Sequence, residues 1–200
     1  MFTGIIQELG SVVSVKSLGN GQEVTLSAST VLASLRLGDS ISINGVCSTA
    51  IAFLDNSFTV QFLEETLKKS TFSNLFVGQK LNLELSLTPS TSMGGHFVSG
   101  HVDSVGTLVA LDRQDPFGIV RIVYDPEWGH LLIPKGSITI DGISLTLVEV
   151  EETTFTCHLI PHTLDNTVLS VKKVGDQVNL EFDMIGKYLY HFFQKGYRHG

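Results

Sequence analysis

The sequence predicts an all-β protein built from two tandem, pseudo-symmetric six-stranded Greek-key barrels with a short C-terminal α-helix. The main observation is an internal duplication: residues 40–86 align without a gap on residues 137–183, and 15 of the 47 pairs are identical. Apolar residues alternate at period two within each copy, and the last segment has helical spacing instead. A period of 97 residues exceeds the roughly 20 to 50 of solenoid repeats, so each copy is predicted to be a domain.

The opening segments of the two copies also correspond. At an offset of 96, residues 3–6 align with residues 99–102, and Gly10 aligns with Gly106. Residues 87–95 are rich in Pro, Ser, Thr and Gly, which is typical of a linker. We therefore expect barrels at 1–86 and 96–183, a linker at 87–95 and a terminal helical segment at 184–200.

Strands and helices follow from the local patterns. Alternating apolar residues predict strands around 41–43, 58–62 and 81–85, with a hairpin turn at 55–57, and closure of about six strands would hide their edges. Short helical pieces are predicted at 30–35, 64–69 and 126–133. The terminal helix has Asp183 as its N-cap, and an apolar face follows. That face consists of Ile185, Leu189, Phe192 and Phe193.

Composition excludes several classes of function. The net charge is −7, and the 13 Lys and Arg residues are dispersed, which argues against a nucleic-acid partner. The sequence has no apolar run of 18 residues and no secretory signal at its start, so we expect a cytoplasmic protein without a membrane partner. The two cysteines, Cys47 and Cys157, fall at non-equivalent repeat positions and are expected to be free thiols.

The candidate chemical residues are those at which the two copies differ. His101 aligns with Ile5, Ser144 with Cys47, and Asp141 with Asn44. The alternative to a functional role is that His101 is a structural histidine and that Cys47 is a buried, inert thiol. The sequence contains no phosphate loop or dinucleotide fingerprint. His96 and His101 are five residues apart, so on a strand they would face opposite sides and would not share a metal.

Several short motifs together resemble the riboflavin synthase family over essentially the full length of the chain. They are MFTGII at 1–6, NGVC at 44–47, MGGHFVSGHVD at 93–103, DGISLT at 141–146, LIP at 159–161 and DMIGKY at 183–188. Each motif is weak alone, but their order and spacing around a duplicated barrel are specific.

This resemblance implies a homotrimer in which the terminal helix supports trimerisation. It implies dismutation of two 6,7-dimethyl-8-ribityllumazine molecules to riboflavin and 5-amino-6-(ribitylamino)uracil, without a cofactor. The working site would lie between the first barrel of one chain and the second barrel of its neighbour. Association with lumazine synthase is a further expectation.

The resemblance also implies roles for individual residues. Cys47 and Ser144 would act as nucleophile or polarising group, His101 as proton shuttle, Asp141 as the group that orients the second-site loop, and Asp183 as a contributor near the shared site. The ligand contacts carried over for the first barrel are Gly4, Ile5, Ile6, Cys47, Ser48, Thr49, Gln61, Phe62, Leu63, Glu64, Glu65 and Thr66. Those for the second barrel are Gly100, His101, Val102, Lys135, Ser144, Leu145, Thr146, Ile160, Pro161, His162, Thr163 and Leu164.

The chain departs from the family pattern at Ser48 and Ala50, where Leu and Val are usual, at His162, where Glu is usual, and at Ser104, where Gly is common. The first two positions remove apolar volume from the first barrel. Two other functions stay open from the sequence: a non-catalytic lumazine- or flavin-binding protein of the antenna type, and a purely structural double barrel.

Overall fold

The computed structural model describes residues 1–196 and shows two β domains in tandem. The strands of the first domain are β1 (Glu8–Ser17), β2 (Gly21–Ser27), β3 (Ser40–Ile43), β4 (Val46–Thr49), β5 (Ala52–Leu54), β6 (Ser57–Leu63) and β7 (Lys80–Leu85). Those of the second are β8 (Ser104–Gln114), β9 (Phe117–Val123), β10 (Ser137–Ile140), β11 (Ile143–Val150), β12 (Thr154–Leu159) and β13 (Gln177–Phe182). The α-helices are α1 (Glu64–Lys69), α2 (Pro161–Asn166) and α3 (Met184–Gln194).

Both sheets have the same neighbour order, which confirms the predicted duplication. The second is a closed barrel, β10-β11-β12-β9-β8-β13, and the first runs β4-β3-β7-β1-β2-β6-β5. In each, the second and third strands are not neighbours, so their connection crosses the sheet as in a Greek key.

The first sheet differs from the expected six-stranded closed barrel because its fourth strand is divided. The second domain uses one continuous strand, β11, to pair with both β10 and β12. The first domain uses β4 to pair with β3 and β5 to pair with β6. The chain shifts partner at the break, where Ala50 N donates to Asp39 O and Ile51 N donates to Thr59 O. The first sheet therefore has seven segments in the same arrangement.

Each domain encloses its own apolar core, as the alternation predicts. Phe58, Val60 and Leu83 are buried in the first core, and Phe155, Cys157 and Leu180 occupy the equivalent positions in the second. Both cysteines are free, and burial raises the pKa of the Cys157 thiol to about 12. Cys157 is therefore a small apolar core residue and not a reactive thiol.

The predicted helical pieces are confirmed, although two of them are 3-10 helices. These are Val31–Ala33 and Pro126–Leu131, whereas Glu64–Lys69 is α-helical. The terminal helix α3 begins where the sequence predicts, because Asp183 Oδ1 accepts a hydrogen bond of 3.0 Å from Ile185 N. Residues 197–200 of the predicted terminal segment lie outside the described residues.

The two domains are joined by a reciprocal set of buried hydrogen bonds around a pseudo-twofold axis. Asn82 Nδ2 donates to Asp141 O at 2.8 Å, and its repeat counterpart Asn179 Nδ2 donates to Asn44 O at 2.9 Å. The amide oxygens of Asn82 and Asn179 accept from the backbone N–H groups of Val168 and Thr71, respectively. Each asparagine thus satisfies buried backbone groups of the other domain.

One ion pair breaks this symmetry. Asp141 is fully buried, and its Oδ2 lies 3.2 Å from Nζ of Lys172, whose side chain is 13% exposed. At the equivalent positions the first domain has Asn44 and Leu75. Burial raises the pKa of Asp141, and the positive charge of Lys172 opposes that rise. The first domain therefore has two uncharged side chains where the second domain has this ion pair.

We predict that Asp141→Asn lowers the free energy of unfolding by about 3 kcal/mol, because it leaves the cation of Lys172 without its buried partner. The double variant Asp141→Asn/Lys172→Leu reproduces the first domain and should recover to within about 1 kcal/mol of wild type. Urea unfolding measures both values. A double variant as unstable as the single one would show that the ion pair is not the cause.

Candidate active site

Two equivalent hairpins position Cys47 and Ser144. Each hairpin turns on a residue with positive φ followed by glycine: Asn44 (φ 43°) with Gly45, and Asp141 (φ 46°) with Gly142. A Cβ atom added to Gly45 would lie 2.8 Å from Gly142 N, so the two turns meet back to back. The hairpins therefore hold Cys47 and Ser144 at related positions on the two sides of the axis.

The opening segments, residues 2–6 and 98–102, cross between the domains; we call them the lead segments. Cys47 N donates to Gly100 O, and Ser144 N donates to Gly4 O, both at 2.8 Å. Thus each lead segment pairs with the hairpin of the other domain. The sequence groups Gly4 with the first barrel and Gly100 with the second, whereas the structure pairs Gly4 with the Ser144 hairpin and Gly100 with the Cys47 hairpin. No local pattern predicts this exchange, because it involves contacts between distant parts of the chain.

Buried carboxylates hold both lead segments. Glu84 accepts hydrogen bonds from the N–H and hydroxyl groups of Thr3, both at 2.7 Å, and from Gly4 N at 3.0 Å. Glu181 accepts the equivalent bonds from Ser99 and Gly100 at 2.6 to 2.9 Å. Burial raises the pKa of Glu84, whereas the hydrogen bonds from Thr3 and Gly4 lower it.

The lead segments also pair with each other on the axis. Phe2 N donates to Val98 O at 2.8 Å, and Val98 N donates to Phe2 O at 3.1 Å. Beyond this bridge the segments diverge, so that Ile6 packs against the second core and Val102 against the first. The surroundings of Cys47 and of Ser144, which we call the first and the second half-site, therefore depend on both domains.

The first half-site is a cavity of about 340 Å³ beside Cys47. This volume is within the range of small-molecule sites, roughly 300 to 1,000 Å³. It is lined by Val46, Cys47, Glu65, Thr66, Lys69, Gly100, His101, Val102, Asp103 and Trp128. The exchange of lead segments thus brings the predicted residues Cys47, Thr66 and His101 together.

The second half-site is built around Ser144, which the linker approaches closely. Nδ1 of His96 lies 2.7 Å from Ser144 Oγ, and Nε2 lies 3.1 Å from Thr139 Oγ1. A Cβ atom on Gly95 would lie 2.8 Å from Ser144 Oγ, so only glycine allows this approach. Burial lowers the pKa of His96, and the nearby Asp183 carboxylate opposes that shift.

Comparison with known proteins shows the same duplication. The lumazine binding domain model matches twice, at residues 3–86 and 99–183. The chain is 43% identical over 195 residues to the riboflavin synthase of Bacillus subtilis (strain 168), covering 98% of this chain and 91% of that protein. It is 39% identical over 193 residues to the riboflavin synthase of Mycobacterium tuberculosis (strain ATCC 25618 / H37Rv), covering 94% and 96%.

The chain belongs to the riboflavin synthase family. It is accordingly an enzyme of the transferase class. Among solved structures, LumP complexed with riboflavin matches with a TM-score of 0.86 at 21% identity, covering 91% of this chain and 99% of that one. LumP complexed with 6,7-dimethyl-8-(1'-D-ribityl) lumazine matches with a TM-score of 0.82 at 22% identity, covering 90% and 98%. These two likenesses support the fold.

In this family member the half-sites differ in charge. The first contains Glu65, Lys69 and His101, and the repeat counterparts of these residues in the second are His162, Asn166 and Ile5. Asn166 Nδ2 lies 3.3 Å from His162 Nδ1 and donates to His162 O at 2.9 Å. The departure at His162 therefore replaces a carboxylate by an imidazole that is already held by its own helix.

Some of the predicted contact residues have side chains in the barrel cores. They are Ser48, Phe62, Leu145 and Leu164, each at most 8% exposed. Because side chains alternate along a strand, Cys47 and Thr49 face out while Ser48 faces in, where its hydroxyl donates to Val46 O. The loss of apolar volume at Ser48 and Ala50 thus falls in the first core, and ligand contact by these core residues would involve their backbone.

Other predicted residues lie at the edges of the half-sites. Gln61 is exposed and donates to Glu23 on the neighbouring strand at 2.9 Å. Lys135 is exposed with φ 67°, and its N–H donates to Leu147 O on β11. Thr146 and Ile160 are exposed on the second domain, as are Thr49 and Leu63 on the first.

Sequence reasoning missed His96, Trp128, Lys69 and Asp103. His96 had a signal, because it follows Gly94-Gly95 in a motif to which no role was assigned. Trp128, the one tryptophan of the chain, stacks on Phe182 at 5.1 Å between ring centroids and reaches the first half-site from the other domain. Within residues 1–196 there is no cluster of three or more His, Cys, Asp or Glu suited to a metal ion, and no helix that could span a membrane.

We predict that Glu181→Gln makes the Cys47 thiol at least about tenfold more reactive, although Glu181 belongs to the other domain. The amide leaves a donor of the second lead segment unsatisfied, at a cost of about 1 to 3 kcal/mol, which favours local opening around Gly100 and Cys47. The rate of modification by an aromatic disulfide reagent measures this effect, and buried Cys157 does not contribute.

Glu84→Gln is the matched control, because it loosens the first lead segment, which contacts Ser144 and not Cys47. Its Cys47 modification rate should stay near the wild-type value. Equal acceleration in both variants would contradict the exchange and would indicate general destabilisation instead.

Proposed function

We propose that the chain catalyses the dismutation of two 6,7-dimethyl-8-ribityllumazine molecules to riboflavin and 5-amino-6-(ribitylamino)uracil. The observation that carries this proposal is the pair of pseudo-symmetric half-sites, one at Cys47 and one at Ser144. A reaction between two copies of one substrate requires two related binding surfaces. The family membership and the paired lumazine binding domain matches support the same substrate.

The chemistry requires orientation and proton transfer more than a cofactor. The C7 methyl group of lumazine is acidic because its anion delocalises into the ring, and the four-carbon unit passes from one ring system to the other. Holding two flat molecules in reactive geometry can lower the barrier by up to about 7 to 11 kcal/mol. Positioned acid and base groups typically add about 10² to 10⁴-fold.

We assign roles from position. Cys47 and Ser144 are the nucleophilic or polarising groups of the two half-sites, and His101, which lines the first cavity, is the proton shuttle. Asp141 has no exposed surface, so it positions the Ser144 hairpin and does not touch substrate. Asp183 caps α3 and contributes a negative charge near the second half-site.

We propose further that the working site forms between subunits of a homotrimer. Within one chain, contacts run from Cys47 through Gly100 and Val98 to Phe2, Gly4 and Ser144, so the paired lead segments separate the half-sites. A first half-site facing the second half-site of a neighbouring chain would bring two lumazines together. We place the reaction in the cytoplasm, and association with lumazine synthase stays a prediction.

The alternative is a protein that binds lumazine or a flavin without turning it over. The LumP structures share the fold with this chain. Incubation of the protein with 6,7-dimethyl-8-ribityllumazine distinguishes the two functions. Riboflavin absorbance appearing with one equivalent of the pyrimidine product supports catalysis, whereas binding with no product supports the alternative.

We predict that Cys47→Ser retains the fold and lowers turnover by at least about tenfold, because it replaces the thiol that faces the first cavity. Cys157→Ala changes a buried thiol outside the site and should leave the rate near wild type. Steady-state riboflavin formation measures both. Wild-type activity in Cys47→Ser would remove the thiol from the mechanism.

We predict that His101→Ala reduces turnover at least about tenfold more than Ile5→Ala. The two residues occupy equivalent positions in the lead segments, but only the imidazole can transfer a proton. Single-turnover rates at saturating lumazine provide the comparison. Comparable losses would assign this position to packing alone.

The face of α3 tests assembly. Ile185, Leu189 and Phe193 are between 56% and 86% exposed on this helix, and burying such side chains in an interface provides about 1.5 to 3 kcal/mol each. We predict that Leu189→Asp/Phe193→Asp dissociates the trimer and abolishes riboflavin formation together. Sedimentation velocity and product assay measure the two effects.

Val174→Asp changes an equally exposed apolar side chain on a barrel loop and should leave both properties intact. A Leu189→Asp/Phe193→Asp protein that sediments as a monomer yet turns over at the wild-type rate would contradict a site shared between chains.

A further inference from the structure

The ring of His96 bridges two hydroxyl groups at the second half-site. Nδ1 lies 2.7 Å from Ser144 Oγ on β11, and Nε2 lies 3.1 Å from Thr139 Oγ1 on β10. These two residues face each other in the strand pairing. The imidazole therefore spans a cross-strand pair and fixes the orientation of the Ser144 hydroxyl.

Both distances fit an arrangement of protons in which Ser144 is a donor and Thr139 an acceptor. The 2.7 Å separation suits a hydroxyl donor, and 3.1 Å is within the range for a ring N–H donating to oxygen. With Ser144 Oγ–H donating to Nδ1, the other nitrogen carries the ring proton and donates to Thr139 Oγ1. This is the Nε2–H tautomer of a neutral histidine.

We propose that His96 is a positioning residue for Ser144: held by Thr139 as the Nε2–H tautomer, it accepts the Ser144 proton at Nδ1 and leaves the oxygen lone pairs of Ser144 free for lumazine. The inference rests on the proposed function. It makes Ser144 the nucleophile. Position alone also allowed Ser144 to polarise the substrate by donating a hydrogen bond to it.

The electrostatic surroundings suit this role. Burial lowers the pKa of His96, which keeps the ring neutral near pH 7 and able to accept a proton. Asp183 is the charged group that acts on it from the start of α3. Glu181 on neighbouring β13 is engaged by Ser99 and Gly100. An imidazolium formed during the reaction would therefore lie near the Asp183 carboxylate, whose Oδ1 also caps α3.

The step balances in protons and electrons. As Ser144 Oγ adds to an electrophilic ring carbon of lumazine, the carbon–nitrogen π pair moves onto the ring nitrogen, and the hydroxyl proton moves to His96 Nδ1. Expulsion of the serine in a later step breaks the carbon–oxygen bond and returns the proton. No oxidant, reductant or additional reactant is required.

The comparison between half-sites explains why only one needs such a base. The counterparts of Ser144 and Thr139 are Cys47 and Ser42, and within residues 1–196 no histidine bridges these two. A thiol has a pKa of about 8.5, so it forms an anion far more readily than a serine hydroxyl. Ser144 therefore requires a proton acceptor that Cys47 does not.

A double-mutant cycle tests the inference through turnover. His96→Asn preserves a hydrogen bond to Ser144 but cannot accept its proton, and it should lower the single-turnover rate by at least about tenfold. Because His96 acts through Ser144, the same change in a Ser144→Ala background should lower the rate no further. Ser42→Ala removes the hydroxyl that corresponds to Thr139 in the first half-site, and its single-turnover rate should stay near wild type.

The pH profile separates this role from a structural one. The wild-type rate should fall as acid protonates His96. Because burial lowers the pKa of this histidine, the fall should occur below the ordinary histidine pKa of about 6.5. The part of this acidic limb that belongs to His96 should be lost in His96→Asn. Additive losses in the cycle, or an unchanged limb, would overturn the inference.

Nitrogen NMR of histidine-labelled protein tests the inference without turnover. The His96 ring should be the Nε2–H tautomer in the wild type and a tautomer mixture in Thr139→Val. An Nδ1–H tautomer in the wild type would overturn the proposal whatever the enzyme does. Absence of riboflavin from the wild type would instead overturn the proposed function, and the tautomer measurement would still decide the role of His96.

Discussion

The exchange of lead segments between the two domains is the constraint on which the site depends. Each segment is fixed by a carboxylate of its own domain, Glu84 or Glu181, and delivers a backbone carbonyl to the hairpin of the other. A buried carboxylate that accepts three hydrogen bonds specifies one position of the chain. The half-sites are therefore assembled by the packing of the domains and would not exist in either one alone.

Symmetry around the axis explains why the duplication persists in the interior. Asn82 and Asn179 each satisfy backbone groups of the opposite domain, so a change in either leaves buried polar atoms without partners. Gly45 and Gly142 approach too closely for a side chain. These contacts restrict substitution at the axis equally for both copies.

The two copies differ in chemistry at equivalent residues of their half-sites. In the repeat alignment His101 corresponds to Ile5, Glu65 to His162 and Cys47 to Ser144, while the strand order of the two sheets stays the same. Two half-sites of one fold can thereby hold two molecules of one compound and treat them differently. In the proposed dismutation one lumazine gives a four-carbon unit and the other receives it, and this unequal chemistry matches the difference between the half-sites.

The sequence by itself determined the duplication, the barrel class, the capped terminal helix and the pairing of Cys47 with Ser144, because these depend on local periodicity and on repeat alignment. Side-chain direction could be read only in part: Ser48 and Leu145 align with the site segments but point into the cores. Only the tertiary structure decided that each lead segment serves the opposite hairpin, that Trp128 reaches the first cavity and that His96 bridges Ser144 and Thr139. Those hydrogen bonds join residues 43 to 140 positions apart, and their energies depend on burial and hydrogen-bond geometry, which no local pattern encodes.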